Sequence, residues 1–157
     1  MSETEENVHK NSKVSLRKVT RETFWQVIKL GVAEDQKKFV APNAVSIAEA
    51  YFSPDEAWFR AIYADETPVG FLMLADNPAE AEYFLWRLMV DSKYQGMGFG
   101  RHAIGLLVEH VKTRPNATKL LTSCVPGEGS PFEFYKSLGF DPTGEVDDGE
   151  DVLELVF

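Results

Sequence analysis

The strongest constraint in this chain is an eight-residue segment, Tyr94-Gln95-Gly96-Met97-Gly98-Phe99-Gly100-Arg101. It follows an aromatic and apolar run over 82–90 that reads as a strand. It precedes an amphipathic helix over 98–113, whose apolar face is Ile104, Leu107, Val108 and Val111. Three glycines in five residues let the backbone come close to a ligand and take up positive φ. The free amides that open the following helix point into the same space and attract anions. Arg101 sets a positive charge in the first helical turn, where it opposes the helix dipole. A bound phosphate explains that charge better than helix stability does.

Several phosphate-binding patterns compete for such a loop. A P-loop ends in Gly-Lys-Ser/Thr, and here the loop ends in Gly100-Arg101-His102. Gly98-Phe99-Gly100-Arg101-His102-Ala103 formally fits a dinucleotide fingerprint. That fingerprint expects an acidic residue at the end of the next strand, which here ends Ser123-Cys124-Val125.

The rest of the chain frames this loop. A strand is expected over 14–19 and a helix over 20–32, with Thr20 as a partial N-cap and Phe24, Val27, Ile28 and Gly31 on its buried face. A short helix follows over 44–52. Strands over 58–64, 69–75 and 82–90 are joined by short polar connections, which makes an antiparallel meander. A strand over 119–125 then completes a β-α-β unit with a parallel pair. A helix over 130–138 is bounded by Ser130, Pro131 and Gly139. Strands over 140–143 and 152–157, joined by an acidic turn over 145–151, close the chain. This is an α+β fold: a mixed, mostly antiparallel sheet flanked by helices, with a central β-α-β cofactor-binding unit. The expected organisation is a disordered arm over 1–13 and one domain over 14–157.

Net charge is −9, which disfavours nucleic acid and anionic membranes as partners and is compatible with a cationic substrate. No run of 18 apolar residues occurs, and residues 1–13 lack the apolar core of a signal peptide. A cytoplasmic location is expected. The one cysteine, Cys124, reads as a buried structural thiol. His9, His102 and His110 show no metal-ligand spacing, so no metal site is expected. Apolar residues in the terminal strands are compatible with a homodimer.

Gln95-Gly96-Met97-Gly98-Phe99-Gly100 resembles the Gln/Arg-x-x-Gly-x-Gly/Ala pyrophosphate motif of the GNAT N-acetyltransferase superfamily. The segment 132–140, with Tyr135 followed by Gly139-Phe140, resembles the second signature of that family, and the element order is similar from about residue 14 to 157. The resemblance implies acetyl-CoA as cosubstrate and direct transfer to a primary amine. It implies that the amides of Gln95, Gly96, Met97, Gly98, Phe99, Gly100 and Arg101 hold the pyrophosphate. It further implies that the main chain of Leu88, Met89 and Val90 holds the pantetheine arm between splayed strands. Tyr135 would then be the acid that protonates the departing thiolate. A phenol with a reference pKa of about 10 keeps its proton at neutral pH. The family commonly has an asparagine seven residues before that tyrosine, and here Glu128 stands there.

Within the family, 32–36, Gly70-Phe71, Tyr94-Gln95-Gly96 and 139–145 are most similar to bacterial spermidine/spermine acetyltransferases. The implied substrate is a small-molecule amine, a polyamine or diamine, bound by carboxylates. Glu34, Asp35, Glu49 and Glu82 are the candidates. Glu82 is the first choice of base, because a two-residue repeat sets it on one strand face with Phe84 and Trp86; Glu34 is the second. Trp86 stands where polyamine enzymes often carry a carboxylate, and could shape a cation–π pocket. Arg87 beside it would repel a polyamine unless it is paired. The alternatives are another amine (a protein N-terminus, an amino acid or an antibiotic) or a CoA-binding module without catalysis.

Overall fold

Residues 7–157 are described by a computed structural model. Seven strands form one sheet: β1 (Val14–Arg17), β2 (Ala57–Ala64), β3 (Thr67–Asn77), β4 (Glu82–Val90), β5 (Lys119–Cys124), β6 (Asp141–Asp147) and β7 (Glu150–Val156). Four helices accompany them: α1 (Phe24–Lys29), α2 (Asn43–Tyr51), α3 (Phe99–Lys112) and α4 (Phe132–Ser137). The strand order is β1-β2-β3-β4-β5-β7-β6, and only β4 and β5 pair in parallel. The expected mixed, mostly antiparallel α+β sheet with its β-α-β unit is the observed one.

Side chains alternate between the two faces of the sheet, as strands require. Ile62, Leu72 and Leu74 join a core with Phe99, Ala103, Leu107 and Val111 of α3. Ala61, Phe71 and Met73 join a second core with Val27 of α1 and Ala50 of α2. The sheet is therefore covered on both sides, which explains why β3 reads as an almost continuous apolar run.

A bulge interrupts the alternation at the centre. Met73 pairs with Arg87 and Leu74 with Leu85, which leaves Trp86 unopposed. Before the bulge Tyr83 and Leu85 face α3; after it Leu88 and Val90 do. The two-residue repeat that aligns Glu82, Phe84 and Trp86 ends there.

Some expected boundaries move. The helix expected over 20–32 is only Phe24–Lys29, because Leu30 turns extended at φ −63°, ψ 138°. Thr20 does not cap it: its own N–H donates to the Thr23 hydroxyl (2.9 Å) and closes a turn. The expected acidic turn over 145–151 is mostly strand. Only Asp148 and Gly149 turn, with φ of 51° and 78°, a two-residue hairpin turn of the Asp-Gly kind. The α4 cap also differs, since Pro131 occupies the N-cap position and Ser130 accepts from the Phe132 N–H at 3.3 Å. Of the arm expected over 1–13, residues 1–6 lie outside the described residues. Within residues 7–13, Val8 rests on the α3-side core, Ser12 is buried, and the Lys13 N–H donates to Asp65 Oδ1 at 3.0 Å.

Candidate active site

β4 and β5 are paired at two positions only, Phe84 with Leu121 and Leu85 with Thr122. Beyond that rung β4 runs on to Val90 beside β3, while β5 runs on to Cys124 beside β7. The strands separate, and a cleft of about 1420 Å³ opens between and beside them. Its lining includes Trp86 to Val90 on one side and Thr122 to Val125 on the other.

The glycine loop stands at the end of β4. Asp91, buried, holds its start by accepting the Lys93 N–H at Oδ1 (2.9 Å). Gly96 and Gly98 have φ of 81° and 84°, with open space where a side chain would begin. Both are glycines for their backbone conformation. Gly100 is a glycine for space: a Cβ there would stand 3.3 Å from the Phe134 ring. The first helical bond of α3 runs from His102 N–H to Gly98 O (3.1 Å), so the amides of Phe99, Gly100 and Arg101 lie in the turn that a helix leaves without internal acceptors. Arg101 reaches α4, donating to Ser137 Oγ at 3.2 Å, and lines the cleft. Free amides, left-handed glycines and a fixed guanidinium suit a pyrophosphate. Gln95, Gly96, Gly98, Phe99, Gly100 and Arg101 all line the cleft, whereas the Met97 side chain packs on the α3-side core.

Tyr135 stands at the rung itself. It is 6% exposed, lies against Phe134 and Phe140, and stands beside Thr122. Burial pushes its phenol up to about 12. Cys124, across the same space, is buried, and burial pushes its thiol up as well. A thiolate is thus disfavoured in this part of the cleft.

The carboxylates divide. Glu82 lines the cleft, but three residues of strand, about 10 Å, separate it from Leu85 at the rung. Glu34 and Asp35 are exposed on a short 3-10 turn, Glu34 is ion-paired with Lys37, and neither lines the cleft. The turn presents their neighbours Gln36, Lys37 and Lys38 instead. Glu49 is paired with Arg87 at 3.1 Å, which answers the unmatched charge that the sequence left at Arg87. Trp86 lines the cleft. Glu128 is exposed in the loop after β5 and does not line it. Glu56, Asp147, Asp148 and Glu150 line it too. None of these four was a candidate from the sequence. The Asp-Gly turn was the signal that places three of them on a hairpin tip beside the end of β5.

Comparison with known proteins comes to the same place. The sequence pattern of the Acetyltransferase (GNAT) family matches residues 20–140. A spermine/spermidine N(1)-acetyltransferase of Bacillus subtilis (strain 168) is 24% identical over 151 residues, covering 89% of this chain and 96% of that protein. Among solved structures, the spermidine N-acetyltransferase of Vibrio cholerae, in complex with CoA and spermine, superposes with a TM-score of 0.73 at 15% identity, over 93% of this chain and 96% of that one. An aminoglycoside acetyltransferase in complex with coenzyme A superposes equally well, with a TM-score of 0.73 at 16% identity, over 92% and 95%.

Proposed function

This chain belongs to the GNAT acetyltransferase family, and from that premise we propose that it moves an acetyl group from acetyl-CoA to a primary amine of a polyamine such as spermidine or spermine. One observation carries the reading: a single cleft joins the glycine loop, the parted strands, Tyr135 and five carboxylates that make no ion pair among the described residues. Its cations lie by the loop or are neutralised. Arg101 opens α3, Lys37 and Lys38 adjoin Gln36 beside Gln95, and Arg87 is paired with Glu49. Five carboxylates remain: Glu56, Glu82, Asp147, Asp148 and Glu150. A phosphate-rich ligand suits the first group, and a chain with spaced ammonium groups suits the second.

When bound, acetyl-CoA supplies an activated acetyl thioester. The amides of residues 95–101 and Arg101 would hold its pyrophosphate, and the main chain of Leu88, Met89 and Val90 its pantetheine. Tyr135 holds a proton at Oη and gives it to the departing sulfur. Desolvation raises the proton affinity of a thiolate and of a phenolate alike, so a phenol at about 12 still serves as donor where the thiolate is itself buried. Glu82 takes the proton of the acceptor ammonium through water, since the strand holds it away from the rung. Trp86 offers an aromatic face to the cationic chain.

The equal superposition of the aminoglycoside enzyme favours a second reading, in which the same carboxylates bind a different polycationic amine. Release of free CoA from acetyl-CoA, measured against spermine, spermidine, putrescine, lysine, aminoglycosides and short peptides, separates the two. Turnover confined to spermine and spermidine is the expected result. Turnover only with another amine overturns the polyamine assignment, and no turnover with retained CoA binding favours a non-catalytic CoA module.

A further inference from the structure

We infer that Gln36 is a positioning residue of the acceptor side, acting through Gln95 so that a ligand on the glycine loop sets the segment 36–41 across the cleft. The inference rests on the reading above that this loop takes the pyrophosphate of acetyl-CoA.

The segment begins at a clamped post. Asp91, 6% exposed, accepts the Gly31 N–H at Oδ2 (2.9 Å), while its other oxygen takes the Lys93 N–H. The Ser92 N–H returns a bond to the Gly31 carbonyl at 2.9 Å. Gly31 is thereby tied to the end of β4. Five residues on, the chain touches the loop a second time. The Gln95 side-chain amide donates from Nε2 to Gln36 Oε1 (2.9 Å) and to the Val90 carbonyl (2.9 Å). One NH₂ group has two protons, and both are used. The segment then leads to the other arm of the opening. The Phe39 ring sits 3.5 Å from where a Cβ would stand on Gly129, in the loop that follows β5. Gln36, Lys37, Lys38, Phe39, Val40 and Ala41 all line the cleft.

The chain from 36 to 41 therefore bridges the two strands that part. It rests on the β5 side by packing and is latched on the β4 side by one side-chain hydrogen bond. Gln95 is the first residue of the loop whose amides face an anion. Fixing that backbone fixes the Gln95 side chain, and with it the Gln36 end of the bridge. Occupation of the loop then lowers the entropic cost of forming the acceptor wall, a positive coupling between the two substrates.

Hydrogen exchange of the 36–41 amides, with and without saturating CoA, reads this without an acceptor. In the parent protein CoA slows exchange by about two- to tenfold, the range of one hydrogen bond. In Gln36→Ala the slowing disappears, and by reciprocity the CoA Kd by calorimetry rises by no more than the same two- to tenfold factor. Gln36→Glu keeps an oxygen to accept from Gln95 Nε2 and restores it. In turnover, Gln36→Ala raises the acceptor KM and leaves kcat close to the parent value. Exchange unmoved by CoA in the parent, or slowed equally in Gln36→Ala, overturns the latch while leaving the acetyltransferase reading intact. No CoA binding by calorimetry overturns both, so the two failures are distinct.

Discussion

The Thr122 hydroxyl donates a 3.2 Å hydrogen bond to the Leu85 carbonyl, across the last rung at which β4 and β5 are paired. Tyr135, the proposed acid, stands beside that threonine. The residue that fastens the two strands where they part thus packs against the proposed acid. Tyr135→Phe is expected to lower kcat by about 10²- to 10⁴-fold with CoA binding retained. Steady-state kinetics together with calorimetry check it, and a variant that keeps the parent kcat would remove Tyr135 from the mechanism. The same burial predicts an alkaline limit. The folded-state phenol lies near 12 against 10.0 unperturbed, so its contribution is complete below pH 10 and is lost as pH rises from 10 to about 12. Urea melts of the parent and Tyr135→Phe should converge across that window.

Arg87, which lines the cleft, and Glu49 neutralise each other. Glu49→Gln leaves the guanidinium unmatched. A unit charge about 10 Å from a cationic acceptor repels it by roughly 1–2 kcal/mol at intermediate dielectric, about five- to thirtyfold in KM. The effect should shrink with added salt. Adding Arg87→Gln should restore the parent KM. An unchanged spermidine KM in Glu49→Gln would place the acceptor elsewhere.

Two glycines near and within α3 make opposite predictions. Gly98 has φ of 84° with free space around it, so Gly98→Ala strains the loop by about 1–2 kcal/mol without a clash and weakens CoA binding. Gly105 lies inside the helix, exposed, with nothing within 4 Å of its missing Cβ. Gly105→Ala should stabilise the protein by about 0.5–1 kcal/mol and leave CoA affinity unchanged. Thermal melts and calorimetry on both variants test the pair. Equal effects on CoA affinity would deny the loop its special role.

His110 stacks on the Trp58 ring at 4.1 Å, and Arg60 also lies 4.1 Å from that ring. Burial pushes the imidazole below its ordinary 6.5; Asp76 opposes the shift, while Arg114 and Arg60 reinforce it. The unfolded chain then binds the proton more readily than the folded one. Stability from this site is complete above pH 6.5 and falls as pH drops below it. His110→Gln should flatten that part of the stability profile in denaturant titrations at pH 5 to 7.5. An equally steep profile in the variant would assign the acid loss to other groups.

Local rules reach far into this molecule. The loop at 94–101 was legible because positive φ and close approach both demand glycine, and that demand is written into single residues. The meander and the parallel unit followed from connection length, and Tyr135 only from the family resemblance of the segment 132–140. The carboxylates were not legible. Glu34 and Asp35 carry the charge that a polyamine site wants, yet a 3-10 turn directs them to solvent and gives the cleft Gln36. Asp147, Asp148 and Glu150 looked like a solvated turn, and reach the cleft because β7 pairs with β5 and carries the hairpin tip beside its end.

The sequence by itself determined the fold class and the glycine loop, since each rests on periodicity or on the conformational demands of neighbouring residues, while the acid candidate came from the family resemblance of 132–140. The tertiary structure alone decided which charges meet. The pairing of Arg87 with Glu49, the Met73–Arg87 register that bulges Trp86 and the Gln36–Gln95 bond join residues 38, 14 and 59 positions apart. Such contacts depend on strand register and helix placement over the whole sheet, and no local spacing encodes them.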